Sequence, residues 1–342
     1  MWLQIRRMPM GRQFRIKLLF VIVVAANVVW GAAQLSVDVR LVNVIATVTD
    51  DRGRYVRNLS VEDFVVEEDG RPQKISHFSQ DSDVPVSVGV LLDTSGSMDR
   101  KLRTAVDAVD RFAERIHKED EIFLMTFANE PVLRQDFTND RNNLFHSLHK
   151  ILPTGGTALY DALGEGLAKI RLGSHEKRAI LLITDGQDTS SVTNLSQVLR
   201  TVRESELVVY CLGISPLPRP QSSERRSSTR TFPPFFSRKS SGSRRDEVDM
   251  NVLRALADSS GGGAFLLSEG LVGTSSTQME RVLDTVAEEL RSQYTLGYYP
   301  AHGDDGQYHS IRIRAKKGYV VRARKGYIAG SSQDQVSREL RE

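Results

Sequence analysis

The sequence feature that most constrains the fold is an apolar run, residues 86–92, that stops at the polar loop 93–97 (DTSGS). An apolar run of this length predicts a strand that is buried on both faces of a sheet. Open α/β sheets bind their ligands in the loops at the carboxyl ends of such strands. We therefore expect the loop to lie where this chain would hold a ligand.

The loop offers one carboxylate and two hydroxyls at alternate positions, Asp93, Ser95 and Ser97. These hard oxygen donors suit Mg²⁺ or Mn²⁺ and suit zinc or copper poorly. Gly96 has no side chain and lets the loop bend so that the three oxygen-bearing side chains converge. By itself, the same loop is equally compatible with an ordinary turn after a strand.

Strands alternate with helices from residue 85 to residue 292. The apolar patterns predict strands at residues 122–127, 179–184, 207–212 and 264–267, with a short edge strand near 132–137. Helical spacing lies between them, for example at residues 102–116 and 159–170. Asn194 with Gln197, and Thr277 with Glu280, have capping-box spacing and predict two helix starts. Repeated β–α units predict an α/β fold, a doubly wound and mostly parallel sheet with helices on both faces.

Two flanking segments, residues 34–84 and 293–329, carry strand patterns instead. Each segment is too short to bury a core of its own. We therefore predict that the two pair into one small all-β sandwich, into which the α/β domain of residues 85–292 is inserted. Such an insertion is tolerated because the two ends of a domain often lie close together.

Residues 1–33 have the organisation of an export leader. A basic start precedes the apolar residues 18–30, and the small residues 31–33 follow them. We predict a cleaved signal peptide, with an uncleaved N-terminal anchor as the alternative, and hence an extracytoplasmic protein, secreted or periplasmic. The stretch 18–33 is shorter than the about 20 residues of a membrane span, so any membrane attachment would run through an uncleaved leader.

The net charge argues against nucleic acid as a partner. The 342-residue chain has a formal charge of +3, with 46 Lys and Arg against 43 Asp and Glu. Five positive charges lie in the leader, and subtracting them from +3 leaves −2 for the remainder, so no basic field remains. The Ser-, Arg- and Pro-rich residues 216–247 are predicted to form a disordered insertion, and residues 330–342 a flexible tail.

Two further loops of the α/β region carry candidate ligands. Thr157 follows the loop 154–156 and precedes a helix, and Asp185 follows the strand 179–184. Together with DTSGS, the stretches GGTAL (155–159) and TDG (184–186) resemble the metal-ion-dependent adhesion site of the von Willebrand factor type A domain, a fold shared with integrin I domains. The resemblance implies five ligands for Mg²⁺ or Mn²⁺, namely Asp93, Ser95, Ser97, Thr157 and Asp185.

The resemblance also implies how these residues act. Ser95, Ser97 and Thr157 would reach the cation through their hydroxyls, whereas Asp93 and Asp185 would act directly or through water. Because hydroxyls are neutral, the cation would stay electrophilic. It would keep an open position for the carboxylate of an Asp or Glu on a partner.

A closer resemblance extends over most of the chain that follows the leader. The stretches VNV (42–44), EDF (62–64), EDG (68–70) and RSQY (291–294) look like those of a bacterial von Willebrand factor A-related family. Because that family is largely uncharacterised, the resemblance implies a fold and a site but names no ligand.

Three functions are compatible with these patterns. The first is a non-enzymatic, metal-dependent binding or adhesion module that recognises a protein or matrix ligand presenting Asp or Glu. The second is a structural component of an envelope assembly that needs no metal. The third is a metal-dependent phosphoesterase, which is disfavoured because Ser95 stands where a second catalytic Asp would be needed. We predict no catalytic residues and no organic cofactor.

Overall fold

Three sheets organise the part of the chain that the computed structural model describes, which is residues 41–80, 84–148, 151–215, 248–268 and 274–330. A six-stranded sheet is built between residues 86 and 268, and two four-stranded sheets combine residues 42–79 with residues 294–328. The predicted leader, the predicted insertion and residues 331–342 of the predicted tail lie outside the described residues. Among the described helices, none combines the length and the hydrophobicity that a membrane crossing requires.

The elements follow one another in the order that the sequence patterns predict. Within the described ranges, the strands are β1 (Val42–Thr49), β2 (Phe64–Glu68), β3 (Arg71–Gln73), β4 (Ile75–Ser79), β5 (Val86–Asp93), β6 (Glu121–Phe127), β7 (Pro131–Thr138), β8 (Lys177–Thr184), β9 (Val208–Ser215), β10 (Ala264–Ser268), β11 (Tyr294–Tyr298), β12 (Tyr308–Ala315), β13 (Val320–Ala323) and β14 (Gly326–Ile328). The helices are α1 (Leu102–Arg115), α2 (Arg141–Leu148), α3 (Leu159–Ile170), α4 (Leu195–Glu204), α5 (Met250–Ser260) and α6 (Thr274–Ser292).

The central sheet has the strand order β10-β9-β8-β5-β6-β7. Neighbouring strands are parallel except β7, which pairs antiparallel with β6 at one edge. All eight residues of β5 are buried, because α1 and α6 cover one face of the sheet and α3, α4 and α5 cover the other. The predicted doubly wound, mostly parallel α/β sheet is confirmed.

The two four-stranded sheets have the orders β13-β1-β11-β4 and β14-β12-β2-β3. In the first sheet, β1 pairs antiparallel with β11 and β13, although both of these strands come from the C-terminal segment of the chain. In the second sheet, β2 pairs antiparallel with β12. One apolar core contains Val44 and Leu296 from the first sheet and Val66 and Ile311 from the second. The predicted sandwich of N- and C-terminal segments is therefore present.

The two predicted capping boxes have different outcomes. At the start of α4, Asn194 Oδ1 accepts a hydrogen bond from the Gln197 N–H at 3.0 Å, and Gln197 Oε1 accepts one from the Asn194 N–H at 2.9 Å, as predicted. The second prediction is wrong, since α6 begins at Thr274 and Thr277 lies within the helix. Capping residues mark a helix start only when the preceding residues leave the helical conformation, and the spacing alone does not decide that.

Candidate metal site at the carboxyl ends of the central strands

The first predicted ligand, Asp93, is the last residue of β5 and is completely buried. Its Oδ1 accepts a hydrogen bond from the Ser95 N–H at 2.9 Å, and its Oδ2 accepts one from the Thr184 hydroxyl at 2.6 Å. Because Thr184 ends β8, this second bond joins the carboxyl ends of two neighbouring strands. Burial raises the pKa of Asp93 to about 6, although hydrogen bonds from Ser95 and Thr184 oppose the rise and the Asp185 carboxylate adds to it.

The two serines of the first loop lie side by side. Their Oγ atoms are 3.0 Å apart and share a hydrogen bond. A single 3-10 turn, Gly96–Met98, follows Ser95 and is closed by a hydrogen bond from the Met98 N–H to the Ser95 carbonyl at 3.0 Å. Ser95 is buried and Ser97 is partly exposed, so the pair extends from the buried carboxylate toward the surface.

The second loop, residues 154–158, contacts the first through its backbone. The Thr154 N–H donates to the Thr94 carbonyl at 2.8 Å, and the Gly96 N–H donates to the Gly155 carbonyl at 3.1 Å. Gly155 has a φ of +76°, in the left-handed region that favours glycine, and this conformation turns its carbonyl toward Gly96. The two loops are therefore held against each other at this end of the sheet.

Thr157 connects the second loop to the third, residues 185–190. Its N–H donates to the Thr189 hydroxyl at 2.8 Å, and its carbonyl accepts hydrogen bonds from the N–H groups of Thr189 and Ser190 at 2.9 and 3.1 Å. Thr157 is 3% exposed. All five predicted ligands thus lie on three loops that are hydrogen-bonded to one another.

Asp185 is completely buried and has a partner that the sequence patterns did not indicate. Its Oδ2 accepts from Lys101 Nζ at 3.0 Å, and its Oδ1 accepts from the Gln187 N–H at 3.3 Å. Lys101 is 1% exposed and directly precedes α1. The available signal was its spacing, since Lys101 stands between Met98 and Ala105 on the side of the chain that is buried.

The residues present fit a hard divalent cation. The donor set is two carboxylates and three hydroxyls, which is the oxygen chemistry that Mg²⁺ and Mn²⁺ prefer. Each carboxylate oxygen has two lone pairs, which makes four for each side chain. Asp93 accepts three hydrogen bonds, from the Ser95 N–H, the Ser95 hydroxyl and the Thr184 hydroxyl, and Asp185 accepts two, from Lys101 and the Gln187 N–H. Both carboxylates therefore keep acceptor capacity for a further ligand.

A second group of polar side chains lies in the sandwich, and the sequence patterns did not indicate it. His302, Asp305 and His309 each place a nitrogen or oxygen atom within 4.8 Å of the others. The two imidazole rings are stacked 3.6 Å apart, and both ring nitrogens of His309 face carboxylates, Asp69 at 2.8 Å and Asp305 at 3.1 Å. These carboxylates raise the pKa of His309 despite its burial. Two carboxylate acceptors suit a protonated imidazole, so we interpret this group as an ion-pair cluster.

Comparison with known proteins supports the resemblance that the motifs indicate. Residues 88–187 match the family model described as the von Willebrand factor type A domain. This chain carries a von Willebrand factor type A domain. The matched range begins in β5 and ends at residue 187, so it contains the first two loops, the start of the third and all five candidate ligands. The closer resemblance to a bacterial subfamily stays a prediction.

Relatives of the type A domain occur in proteins of different organisation. Inter-alpha-trypsin inhibitor heavy chain H4 of Sus scrofa is 27% identical over 146 residues, which is 39% of this chain and 16% of the heavy chain. The uncharacterized protein YwmC of Bacillus subtilis is 24% identical over 151 residues, 38% of this chain and 66% of YwmC. A solved von Willebrand factor type A protein of Catenulispora acidiphila is 13% identical, with a TM-score of 0.43, over 88% of this chain and 76% of that chain.

These matches are partial. The aligned region spans about a sixth of the heavy chain's own length (16%) and just under two thirds of YwmC (66%). The shared part is thus the domain, and the activities of the longer relatives do not follow from it.

Proposed function

We propose that this chain is a non-enzymatic protein-interaction module that binds its partner through a divalent cation. The type A domain supports an interaction role. The proposed ligands are Asp93, Ser95, Ser97, Thr157 and Asp185, with Mg²⁺ or Mn²⁺ as the cation. The observation that carries the proposal is the direct hydrogen bonding of three loops that bring these oxygen donors to the carboxyl edge of the central sheet.

The chain's own residues would prepare the site before any ligand arrives. Asp93 is oriented by the Ser95 N–H and the Thr184 hydroxyl, and Asp185 by Lys101 and the Gln187 N–H. When bound, the cation would supply an electrophilic centre with an open position for a carboxylate. The three hydroxyl ligands are neutral and would leave most of the cation's charge available to that carboxylate.

The partner would be a protein or matrix component that presents an Asp or Glu side chain. We place the interaction outside the cytoplasm because residues 1–33 have the pattern of an export leader. Membrane contact would come from that leader if it stays uncleaved.

The proposal is tested by titrating Mg²⁺ and Mn²⁺ into the protein and recording the heat of binding and the unfolding temperature. We expect saturable binding in the wild type and its loss in Asp93→Asn and Asp185→Asn, which keep the shape of each side chain and remove its charge. Asp99→Asn is the matched control, because Asp99 is exposed, follows the same loop and is not a proposed ligand. Equal binding by all four proteins, or none by the wild type even with sodium acetate present as a source of carboxylate, would contradict the proposal.

A metal-independent structural role in an envelope assembly is the second candidate. The observation in its favour is the Lys101–Asp185 ion pair, which neutralises one of the two carboxylates without a metal. This role predicts that the association of the protein with envelope components survives a chelator and survives Asp93→Asn. The metal-dependent role predicts that both treatments abolish the association.

A further inference from the structure

Lys101 occupies a position that local helix physics disfavours. It stands at the N-cap of α1, where its carbonyl accepts a hydrogen bond from the Ala105 N–H at 2.9 Å, and its side chain makes no capping bond. Ser, Thr, Asp and Asn are the residues that stabilise this position. The amino end of a helix also carries partial positive charge, which repels a cation. Such a conflict between local preference and structure is expected where a residue serves a function.

The burial of Lys101 is a second, independent indication that this residue serves a function. Lysine is almost never fully buried unless it is paired, and Lys101 is 1% exposed. Its ammonium group lies 3.0 Å from Oδ2 of Asp185, which is 0% exposed. Removing two charges from water is costly, and their attraction alone seldom recovers that cost. The ion pair is therefore poorly explained as a device for stability.

The charges of the site have a simple sum near neutral pH. Among the described residues, the buried charged groups on and beside the three loops are Asp93, Asp185 and Lys101, which together carry −1. A divalent cation would bring this buried group to +1. Without Lys101 the same cation would bring it to zero. An unbalanced charge in a desolvated site is unfavourable. With Lys101 present, the cation therefore needs an anion bound beside it to neutralise the remaining positive charge.

We propose that Lys101 couples cation binding to anion binding at this site, so that a divalent cation is held tightly only together with a carboxylate. This inference rests on the metal site of the proposed function. Lys101 weakens the affinity for the cation alone and leaves a positive charge that a carboxylate neutralises. Because linkage is reciprocal, the cation strengthens carboxylate binding by the same factor. The site would thus engage a partner's Asp or Glu and remain weakly loaded in its absence.

The coupling is measured as the ratio of the Mn²⁺ affinities in sodium acetate and in sodium chloride, at equal ionic strength and near neutral pH, with free Mn²⁺ corrected for acetate complexes. Acetate is the probe for the partner carboxylate. For the wild type we expect the affinity to rise about tenfold or more in acetate. For Lys101→Met, which keeps the length of the side chain, we expect an affinity in chloride about tenfold or more above the wild type and an acetate ratio below about twofold.

Lys169→Met is the matched control. Lys169 lies in α3, outside the three loops, and its Nζ forms an ion pair with Asp136 of β7 at 2.7 Å. This variant should keep both the wild-type affinity and the wild-type acetate ratio. Circular dichroism and the unfolding temperature establish that each variant is folded before its titration is interpreted.

If Lys101→Met alone folds poorly, a double variant with the same total buried charge as the wild type can be measured instead. Lys101→Met combined with Asp185→Asn removes both members of the ion pair, so the buried charge with Mn²⁺ returns to +1, as in the wild type. We expect a lower absolute affinity, because a ligand is lost, and an acetate ratio that returns toward the wild-type value.

The outcomes separate this inference from the proposed function. If the wild type binds Mn²⁺ equally in acetate and chloride and Lys101→Met behaves identically, the coupling is wrong and the metal site stands. If the wild type binds no Mn²⁺ in either salt, the metal site and the coupling are both wrong. Binding that appears only in Lys101→Met would also overturn both, because Lys101 would then take the place of the cation.

Discussion

Two of the regions that bury carboxylates satisfy the hydrogen-bonding capacity of those carboxylates differently. At the junction of α6 with the sandwich, Glu289 is 1% exposed. Its Oε1 accepts hydrogen bonds from Thr47 at 3.3 Å and Tyr210 at 2.9 Å and pairs with Arg322, while its Oε2 accepts from Tyr55 at 3.1 Å. Asp93 accepts from the Ser95 N–H, the Ser95 hydroxyl and the Thr184 hydroxyl, and Asp185 accepts from Lys101 and the Gln187 N–H.

The difference separates a structural carboxylate from one that is prepared for a ligand. The donors to Glu289 come from β1, β9, β13 and the segment after β1, so this one side chain joins the sandwich to the central domain. Burial beside Glu289 raises the pKa of the Tyr210 and Tyr55 hydroxyls, which therefore stay protonated as donors. The site loops are instead joined mainly through their backbones, and their carboxylates keep free lone pairs.

The largest expected effect is on stability, at the junction. Glu289→Gln removes the charge that pairs with Arg322 and replaces one of the two acceptor oxygens by an NH2 donor, so the donors around position 289, among them the buried Thr47 and Tyr210, lose acceptor sites. We expect a loss of about 3 kcal/mol in the free energy of unfolding, measured by urea denaturation. Glu288→Gln is the control, since Glu288 is exposed and its ion pair with Arg57 at 3.2 Å should contribute less than about 1 kcal/mol. Equal losses in the two variants would remove the structural role assigned to Glu289.

Adding Mg²⁺ should raise the free energy of unfolding through the three site loops and should not depend on Glu289. With Mg²⁺ at about 100 times its Kd, the free energy of unfolding of the wild type should rise by about 2.7 kcal/mol. Glu289→Gln should show the same increment, because the sites share no described contact, whereas Asp93→Asn should show none. A reduced increment in Glu289→Gln would show that the two regions are coupled.

The His309 cluster in the sandwich should give a smaller, pH-dependent effect. Since the pKa of His309 is raised, its contribution to stability is present below the unfolded value and is lost as the pH rises through the folded value. The pKa values of Asp69 and Asp305 are lowered, chiefly by hydrogen bonds from His309 and Gln307 respectively, so their contributions are lost as the pH falls through their folded values. The contribution of the cluster to the free energy of unfolding should therefore be largest in mildly acidic solution.

Urea denaturation of His309→Asn and the wild type at mildly acidic and mildly alkaline pH tests this expectation. The difference in the free energy of unfolding should be larger at acidic pH. His77→Asn, on an exposed position of β4, should give the same small difference at both. A pH-independent effect of His309→Asn would contradict the ion-pair interpretation.

The smallest stability effect with a functional consequence is expected at Gly96. A Cβ there would lie 3.3 Å from the Gly155 carbonyl oxygen, so Gly96→Ala presses the first two loops slightly apart. We expect a loss below about 0.5 kcal/mol in stability with a several-fold loss in Mn²⁺ affinity. Gly164→Ala in α3 is the control, because a Cβ there meets no atom within 4 Å and should leave Mn²⁺ affinity unchanged. Unchanged affinity in Gly96→Ala would show that the spacing of the loops does not matter.

Local sequence patterns were sufficient for most elements of the central domain. The apolar run of β5 and the helix α3, Leu159–Ile170, follow from short-range periodicity, and so does the capping box of α4. The strand–helix alternation also placed Asp93, Thr157 and Asp185 at the same edge of the sheet, because parallel strands present their carboxyl ends together. Their roles as metal ligands stay predictions.

The start of α6 and the hydrogen-bond partners of the buried charged side chains could not be read from local patterns. Thr277 and Glu280 have capping-box spacing, yet the helix begins three residues earlier at Thr274. Lys101 and Asp185 are 84 residues apart, and Thr47 and Glu289 are 242 apart. Nothing near any of these residues in the sequence identifies its partner.

The sequence by itself determined the class of fold, the order of the elements and the oxygen-rich loops, because periodicity and loop composition are short-range properties. Only the tertiary structure decided which carboxylates are saturated and which keep capacity, and that Lys101 carries a buried positive charge into the site. The reason is that the cost of burying a charge depends on all the groups that surround it. For Glu289, Asp185 and Lys101 those groups come from distant parts of the chain and meet only when the fold is complete.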